Sequence, residues 1–346
     1  MTTETDPRLP IDLSRLTDWM AQAMPGVEGP LTARQFAGGQ SNPTYRIEGP
    51  SGSWVLRRKP GGTLLPKAHM IEREYRVMAA LAGTQVPVPA MRAWCADPSV
   101  IGAVFYIMDF VPGRVVFQPD LPGLTPAGRR AVHEDAIDRL AALHRLDPAG
   151  LGLADFGRPA GYLPRQVALW SAQYRASETV ALPAMDRLIE VLPDAVATVP
   201  DETALVHGDY RLDNLVLHPD LPAVTAVLDW ELATLGHPLA DLAYFLMTWV
   251  FPGGLRYGLA ETDLETLGIP SMTTLAERYA TATGRERLPD LDLLLAFSIF
   301  RMAAILQGVH ARGLAGNAAD STATAMGADV PRLAAIAERH ARRAGG

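Results

Sequence analysis

The chain has 346 residues, 48% of them hydrophobic and 20% charged, which is ordinary globular composition with enough apolar matter for two lobes with their own cores. A formal charge of −7 argues against a nucleic-acid-binding face, and the single cysteine, Cys95, excludes an intrachain disulfide framework. No Cys/His group has zinc spacing, and no Gly-x-Ser-x-Gly elbow is present to suggest a hydrolase. The opening residues lack a basic start and an apolar run, and the stretch Leu242 to Pro252 is too short to span a bilayer. A soluble cytoplasmic protein without membrane or nucleic-acid partners is the expectation.

In chain order, a short helix is expected from Asp12 to Met24, closed by Pro25-Gly26. Strand-like pieces follow at Leu31 to Phe36, Thr44 to Ile47 and Trp54 to Arg57, separated by Gly38-Gly39-Gln40-Ser41-Asn42 and Gly49-Pro50-Ser51-Gly52. A flap of small residues can bring backbone N–H groups close to phosphates, and a plain hairpin is the alternative. A helix is expected from Lys67 to Ala82, with Ile71, Tyr75, Met78 and Ala82 on its apolar stripe and Glu74 nearer that stripe than Glu72. Two strands, Ala93 to Cys95 and Val104 to Met108, lead into Asp109-Phe110-Val111-Pro112-Gly113. Strands dominate before Gly113 and helices after it.

Thr125-Pro126 opens a helix that runs to about Leu146, with His144 near its end as a cap or packing residue. Residues 161 to 192 hold one or two more. Then come two polar fragments, His207-Gly208-Asp209-Tyr210-Arg211-Leu212-Asp213-Asn214 and Val227-Leu228-Asp229-Trp230, each after a short β-prone run. Strand, polar loop and hairpin would bring Asp209, Asn214 and Asp229 around one point. Two carboxylates and a carboxamide oxygen are hard ligands suited to Mg²⁺, which takes the rest of its shell from water and substrate phosphates. Phosphoryl transfer needs such a metal and a carboxylate to receive the hydroxyl proton.

His-Gly-Asp-x-x-x-x-Asn followed by hydrophobic-Asp-hydrophobic resembles the kinase-like aminoglycoside phosphotransferase family. The likeness covers roughly residues 30 to 310. It is closest to the branch fused, in animals, to acyl-CoA dehydrogenase domains, through Gly38 to Tyr45, Arg57-Arg58-Lys59-Pro60 and Leu228 to Gly236. The resemblance implies an α+β, two-lobed protein-kinase-like fold: an antiparallel-sheet ATP-binding lobe over residues 1–110 and a mainly helical catalytic and substrate-binding lobe over 111–346. It also implies ATP and Mg²⁺ as cofactors, Asp209 as catalytic base, and Asn214 and Asp229 as metal ligands. Gly38, Gly39, Ser41 and Asn42 would form the phosphate flap, and the backbone around Met108, Asp109 and Phe110 would read adenine as an exposed edge. Arg57 stands where kinases carry lysine, with Lys59 on the same strand face, and Glu74 would pair with the cation. Asp241, in the first turn of the helix after Pro238, would brace the catalytic loop.

The helix from Leu291 to Gly308 is apolar nearly all round, so it is expected to be buried and its Arg301 to need a partner. Arginines at 301 and 312 on an apolar wall suit an anionic small-molecule hydroxyl acceptor, such as a hydroxyacyl-CoA or hydroxy acid, with Arg301 or Arg312 on its charge. An aminoglycoside acceptor and a catalytically silent nucleotide-binding regulator stay open beside it.

Overall fold

The computed structural model describes residues 11–36, 42–60, 70–255, 258–289, 291–316 and 323–345. The chain divides into two compact units, residues 1–113 with 225–232, and residues 114–224 with 233–346.

The first unit begins with α1 (Leu13–Ala23), whose N-cap Asp12 accepts from the N–H groups of Ser14 and Arg15. Five antiparallel strands follow: β1 (Thr32–Gln35), β2 (Thr44–Gly49), β3 (Gly52–Arg58), then, after helix α2 (Ile71–Leu81), β4 (Met91–Cys95) and β5 (Phe105–Asp109). Their spatial order is β1-β2-β3-β5-β4. Strand alternation sorts β3 cleanly. Trp54 and Leu56 join Leu16, Met20, Ile47, Phe105 and Ile107 in the core under α1, with Trp19 edge-on to Phe105. Arg57 points to the other face, beside its register partner Tyr106 and on the side of α2, whose Tyr75 packs on Tyr106 and Trp94.

In the second unit β6 (Arg114–Val115) is followed by α3 (Pro126–His144), α4 (Tyr162–Ser177) and α5 (Pro183–Ala197). Thr125 caps α3 through Gly128 N–H at 3.1 Å. Next come β7 (Ala204–Val206), β8 (Leu215–Leu217) and, after β9 (Val224–Val227), whose last three residues belong to the first unit, β10 (Thr234–Gly236); β10 pairs antiparallel with β7 and β6 with β8. Five helices close the chain: α6 (Pro238–Leu246), α7 (Leu264–Leu267), α8 (Met272–Ala282), α9 (Asp292–Leu314) and α10 (Val330–Ala344). α9 is the core: every residue from Leu293 to Ala304 is buried. It runs on through Gly308 for six more residues, because one glycine inside a well-packed helix costs only about 1 kcal/mol. Among the described residues, α9 at 23 residues, rather than the stretch after Leu242, is the apolar helix long enough to cross a membrane, and most of it is buried inside this fold.

Candidate active site

The first unit carries an acidic cluster closed around one cation. The Arg57 guanidinium lies 2.9 Å from Glu74, 2.9 Å from Asp229 and 3.8 Å from Glu231. Burial works against its charge, but these carboxylates outweigh it and hold the guanidinium firmly ionised. Glu74 is buried on α2, and burial pushes its carboxyl up to about 7 even though Arg57 pulls it down. Asn42, fully buried, donates from Nδ2 to Glu231 at 3.4 Å. Lys59 goes elsewhere, to Glu72, a half-exposed pair. Asp229 has φ 65°, a left-handed backbone that a non-glycine residue holds at a cost of about 1–3 kcal/mol, so the fold keeps this carboxylate against strain. Gly38, Gly39 and Ser41 lie outside the described residues.

The backbone offered for adenine needs correction. β5 runs inside the sheet, between β3 and β4, and the Asp109 N–H donates to the Ala90 carbonyl at 2.9 Å. Met108 is paired in register on both sides, and the Asp109 side chain is tied to Arg92. The chain leaves the sheet at Phe110, whose ring carries Arg46 at 4.2 Å. The Asp109 N–H is thus not free to read a base, and Phe110 is the first residue beyond the strand.

The second unit carries the loop after β7. Gly208 sits at φ 83°, a turn that favours glycine, and its peptide groups are gripped from two sides. The His207 and Gly208 N–H groups donate to Asp241 Oδ2 and Oδ1 at 2.6 and 2.9 Å. Arg301 Nη2 donates to the Gly208 carbonyl at 2.6 Å. Burial pushes the Asp241 carboxyl up, but His144 and the loop N–H groups outweigh it and hold it below the usual carboxylate range. His144 is more than a packing residue: it bonds the Tyr279 hydroxyl at 2.7 Å and approaches Asp241 at 3.5 Å. Arg301, offered by the sequence as an anion contact, is buried and spent inside the protein, between the rings of Trp170 and Tyr244. Arg312 is exposed in the last turn of α9.

The clamped loop presents Asp209. Its Oδ2 accepts from Asn214 Nδ2 at 3.0 Å, and the same nitrogen reaches the Asp209 carbonyl at 2.9 Å. With that nitrogen engaged, Oδ1 of Asn214 is the atom suited to a metal. Tyr244, buried on α6, lies beside the Asp209 carboxylate, and burial with that charge keeps its hydroxyl protonated. Arg211 and Asp213 form a forked ion pair on the same loop. Among the described residues no cluster of three or more His, Cys, Asp or Glu could hold a metal unaided. Carboxylate and carboxamide oxygens are the donor types that suit Mg²⁺, which keeps waters and takes phosphate oxygens rather than filling its shell from protein. Sequence reasoning missed Glu231, Tyr244 and the Arg301 clamp, since pairs such as Arg301 and Gly208 leave no local pattern.

Residues 32–288 match the phosphotransferase enzyme family model. Mouse acyl-CoA dehydrogenase family member 10 is 45% identical over 311 residues, 89% of this chain and 29% of that protein. Human acyl-CoA dehydrogenase family member 11 is 42% identical over 319 residues, covering 91% of this chain and 41% of that protein. The chain thus spans well under half the length of these curated relatives. A crystal structure from Ralstonia eutropha, described as a proposed aminoglycoside phosphotransferase, superposes with TM-score 0.88 at 45% identity, covering 96% of this chain and 99% of that one. A thermostable mutant aminoglycoside phosphotransferase in ternary complex with AMP-PNP and hygromycin B shares the fold, with TM-score 0.61, 14% identity and coverage of 94% and 98%. Fold and sequence agree, and the chain belongs to the phosphotransferase enzyme family.

Proposed function

We propose that the chain transfers the γ-phosphate of ATP to the hydroxyl of a small anionic acceptor, a hydroxyacyl-CoA or a free hydroxy acid, with Asp209 as the base. That the enzyme is a small-molecule phosphotransferase using ATP with Mg²⁺ follows from its family. The observation that carries the assignment of the base is the Asp209–Asn214 pair on a loop clamped by Asp241 and Arg301. A base must be held in one orientation to receive a proton as the acceptor oxygen attacks, and that clamp supplies the orientation. Asp229 and Asn214 would hold the metal, which when bound neutralises charge on the transferring phosphate. Arg57 would contact phosphate oxygens through its planar fork, with Glu74 fixing its direction. The acceptor class draws support from the acyl-CoA dehydrogenase relatives, at 45% and 42% identity, although this chain spans only part of them.

A phosphate-transfer screen with Mg-ATP over hydroxyacyl-CoAs, hydroxy acids, amino sugars and aminoglycosides tests the reading. Turnover of hydroxyacyl compounds, lost in Asp209→Asn while Mg-ATP still binds, is the expected outcome. Turnover of kanamycin-type substrates with none on hydroxyacyl compounds would overturn the acceptor class. Nucleotide binding without transfer to any of them would make the chain a silent regulator.

A further inference from the structure

Within the first unit, Arg57 is held at one nitrogen and contested at another. Its Nε lies 2.9 Å from Glu74 Oε2 on α2. Its Nη2 donates to Asp229 Oδ1 at 2.9 Å, and the same Nη2 lies 3.8 Å from Glu231 Oε2. The cation assigned to phosphate therefore rests on the carboxylate assigned to metal. A carboxylate that engages a divalent cation has little charge left for a guanidinium, and the two cations repel each other. Once Asp229 turns to the metal, Nη2 loses its acceptor, and a largely buried charged donor without one is costly.

Glu231 is built to stay where it is. It follows Trp230, which is fully buried and whose indole Nε1 donates to the Val227 carbonyl at 2.9 Å. Trp230–Leu232 form a single 3-10 turn, so the carboxylates of Asp229 and Glu231 flank that anchored ring. Asn42, also fully buried, donates from Nδ2 to Glu231 Oε2 at 3.4 Å, and its own carbonyl accepts from the Thr44 hydroxyl at 3.0 Å. Thr44 is the register partner of Arg57, which puts the Asn42 contact beside the strand cation. One N–H leaves a carboxylate oxygen with room for another donor.

We propose that Glu231 is a second seat for Arg57: when Asp229 takes the metal, Nη2 passes to Glu231 Oε2 while Nε stays on Glu74. The guanidinium thus keeps its direction toward the phosphates through metal loading. Glu231 is a positioning residue that acts through Arg57 and touches neither metal nor nucleotide. The inference rests on the phosphotransferase reading, in which Asp229 is a metal ligand and Arg57 the phosphate cation.

The test is isothermal titration of AMP-PNP into the whole chain, once in excess Mg²⁺ and once in EDTA, and the quantity read is the ratio of the two affinities. Glu231→Gln should lower that ratio about tenfold, the scale of one charged hydrogen bond. Its affinity in EDTA should stay within about threefold of native, because Arg57 then rests on Asp229 as it does here. In an Arg57→Met background the same substitution should leave the ratio unchanged, since no guanidinium needs the seat. Glu231→Asp keeps the charge one methylene short and should lose less than Glu231→Gln; it also serves if the glutamine variant fails to melt cooperatively. An unchanged ratio in Glu231→Gln overturns the inference. So does an equal fall in both backgrounds, which would make Glu231 a metal ligand instead. A native chain that binds no AMP-PNP under either condition would overturn the phosphotransferase reading and the inference with it.

Discussion

Arg57 and Lys59 are two residues apart on one strand, yet their surroundings differ in kind. Arg57 is nearly buried among Glu74, Asp229 and Glu231, whereas Lys59 shares a half-exposed pair with Glu72. Arg57→Ala should raise the KM for ATP by tenfold or more, on the scale of about 1.5–3 kcal/mol for a charged hydrogen bond. Lys59→Ala should change it less than about threefold, as exposed pairs do. Glu74→Ala should act in the same direction as Arg57→Ala, and Glu72→Ala should do little; ATP titrations of the four variants decide it. Equal effects at 57 and 59 would mean that the phosphate cation is not Arg57. The helical wheel turned Glu74 rather than Glu72 toward the strand, and the kinase resemblance implied its pairing with the strand cation. Alternation put Arg57 and Lys59 on one face and did not choose between them. Nothing local foretold Glu231, whose partners Asn42 and Arg57 lie far back in the sequence.

At the scale of elements, α9 was readable as a buried helix from its unbroken apolar composition. What its arginine does was not. Arg301 reaches a carbonyl 93 positions earlier, so only the fold could reveal it. Arg301→Met should lower kcat by on the order of tenfold to a hundredfold through a displaced base, leaving KM for ATP unchanged. Steady-state kinetics against ATP separate this from a donor-site defect, which would raise KM. α3 supplies a second handle. Burial holds the His133 imidazole down to about 4, against an ordinary value near 6.5, so the native state keeps it neutral. The unfolded chain then binds more protons between those values, and stability present above pH 6.5 is lost as pH falls toward 4. The full loss is roughly 3 kcal/mol at 1.36 kcal/mol per unit. Thermal melts between pH 7 and pH 4 should show a shallower decline in His133→Phe than in the native chain. Parallel declines would mean that His133 does not set the acid limit.

On the scale of the whole chain, the first unit is not contiguous. Residues 225–232 belong to it although more than a hundred residues separate them from Gly113. The Val227 N–H donates to the Pro87 carbonyl at 2.8 Å, and the turn at Trp230–Leu232 packs on α2 with Trp230 fully buried. The change from strands to helices near Gly113 is visible in composition, but the return at 225–232 leaves no compositional trace. The fragment 1–113 alone should therefore unfold in urea without a cooperative transition, followed by circular dichroism. Joining 225–232 to it through a flexible linker should restore a measurable part of the transition. A sharp transition in the bare fragment would show that the returning segment is dispensable.

That returning segment also fixes a timetable. A chain emerges from the ribosome from its N-terminus at about 5–20 residues per second, and domains ordinarily fold as they appear. Here the first unit has its five-stranded sheet on hand early, but the piece that covers α2 is translated about 120 residues later, a wait of roughly 6–24 s. During that interval the nascent sheet lacks Trp230 and carries the Arg57–Glu74 pair without Asp229. Synonymous codons that slow translation between 114 and 224 would lengthen the exposed interval, and their cost would appear as aggregated product rather than as any change in the purified enzyme.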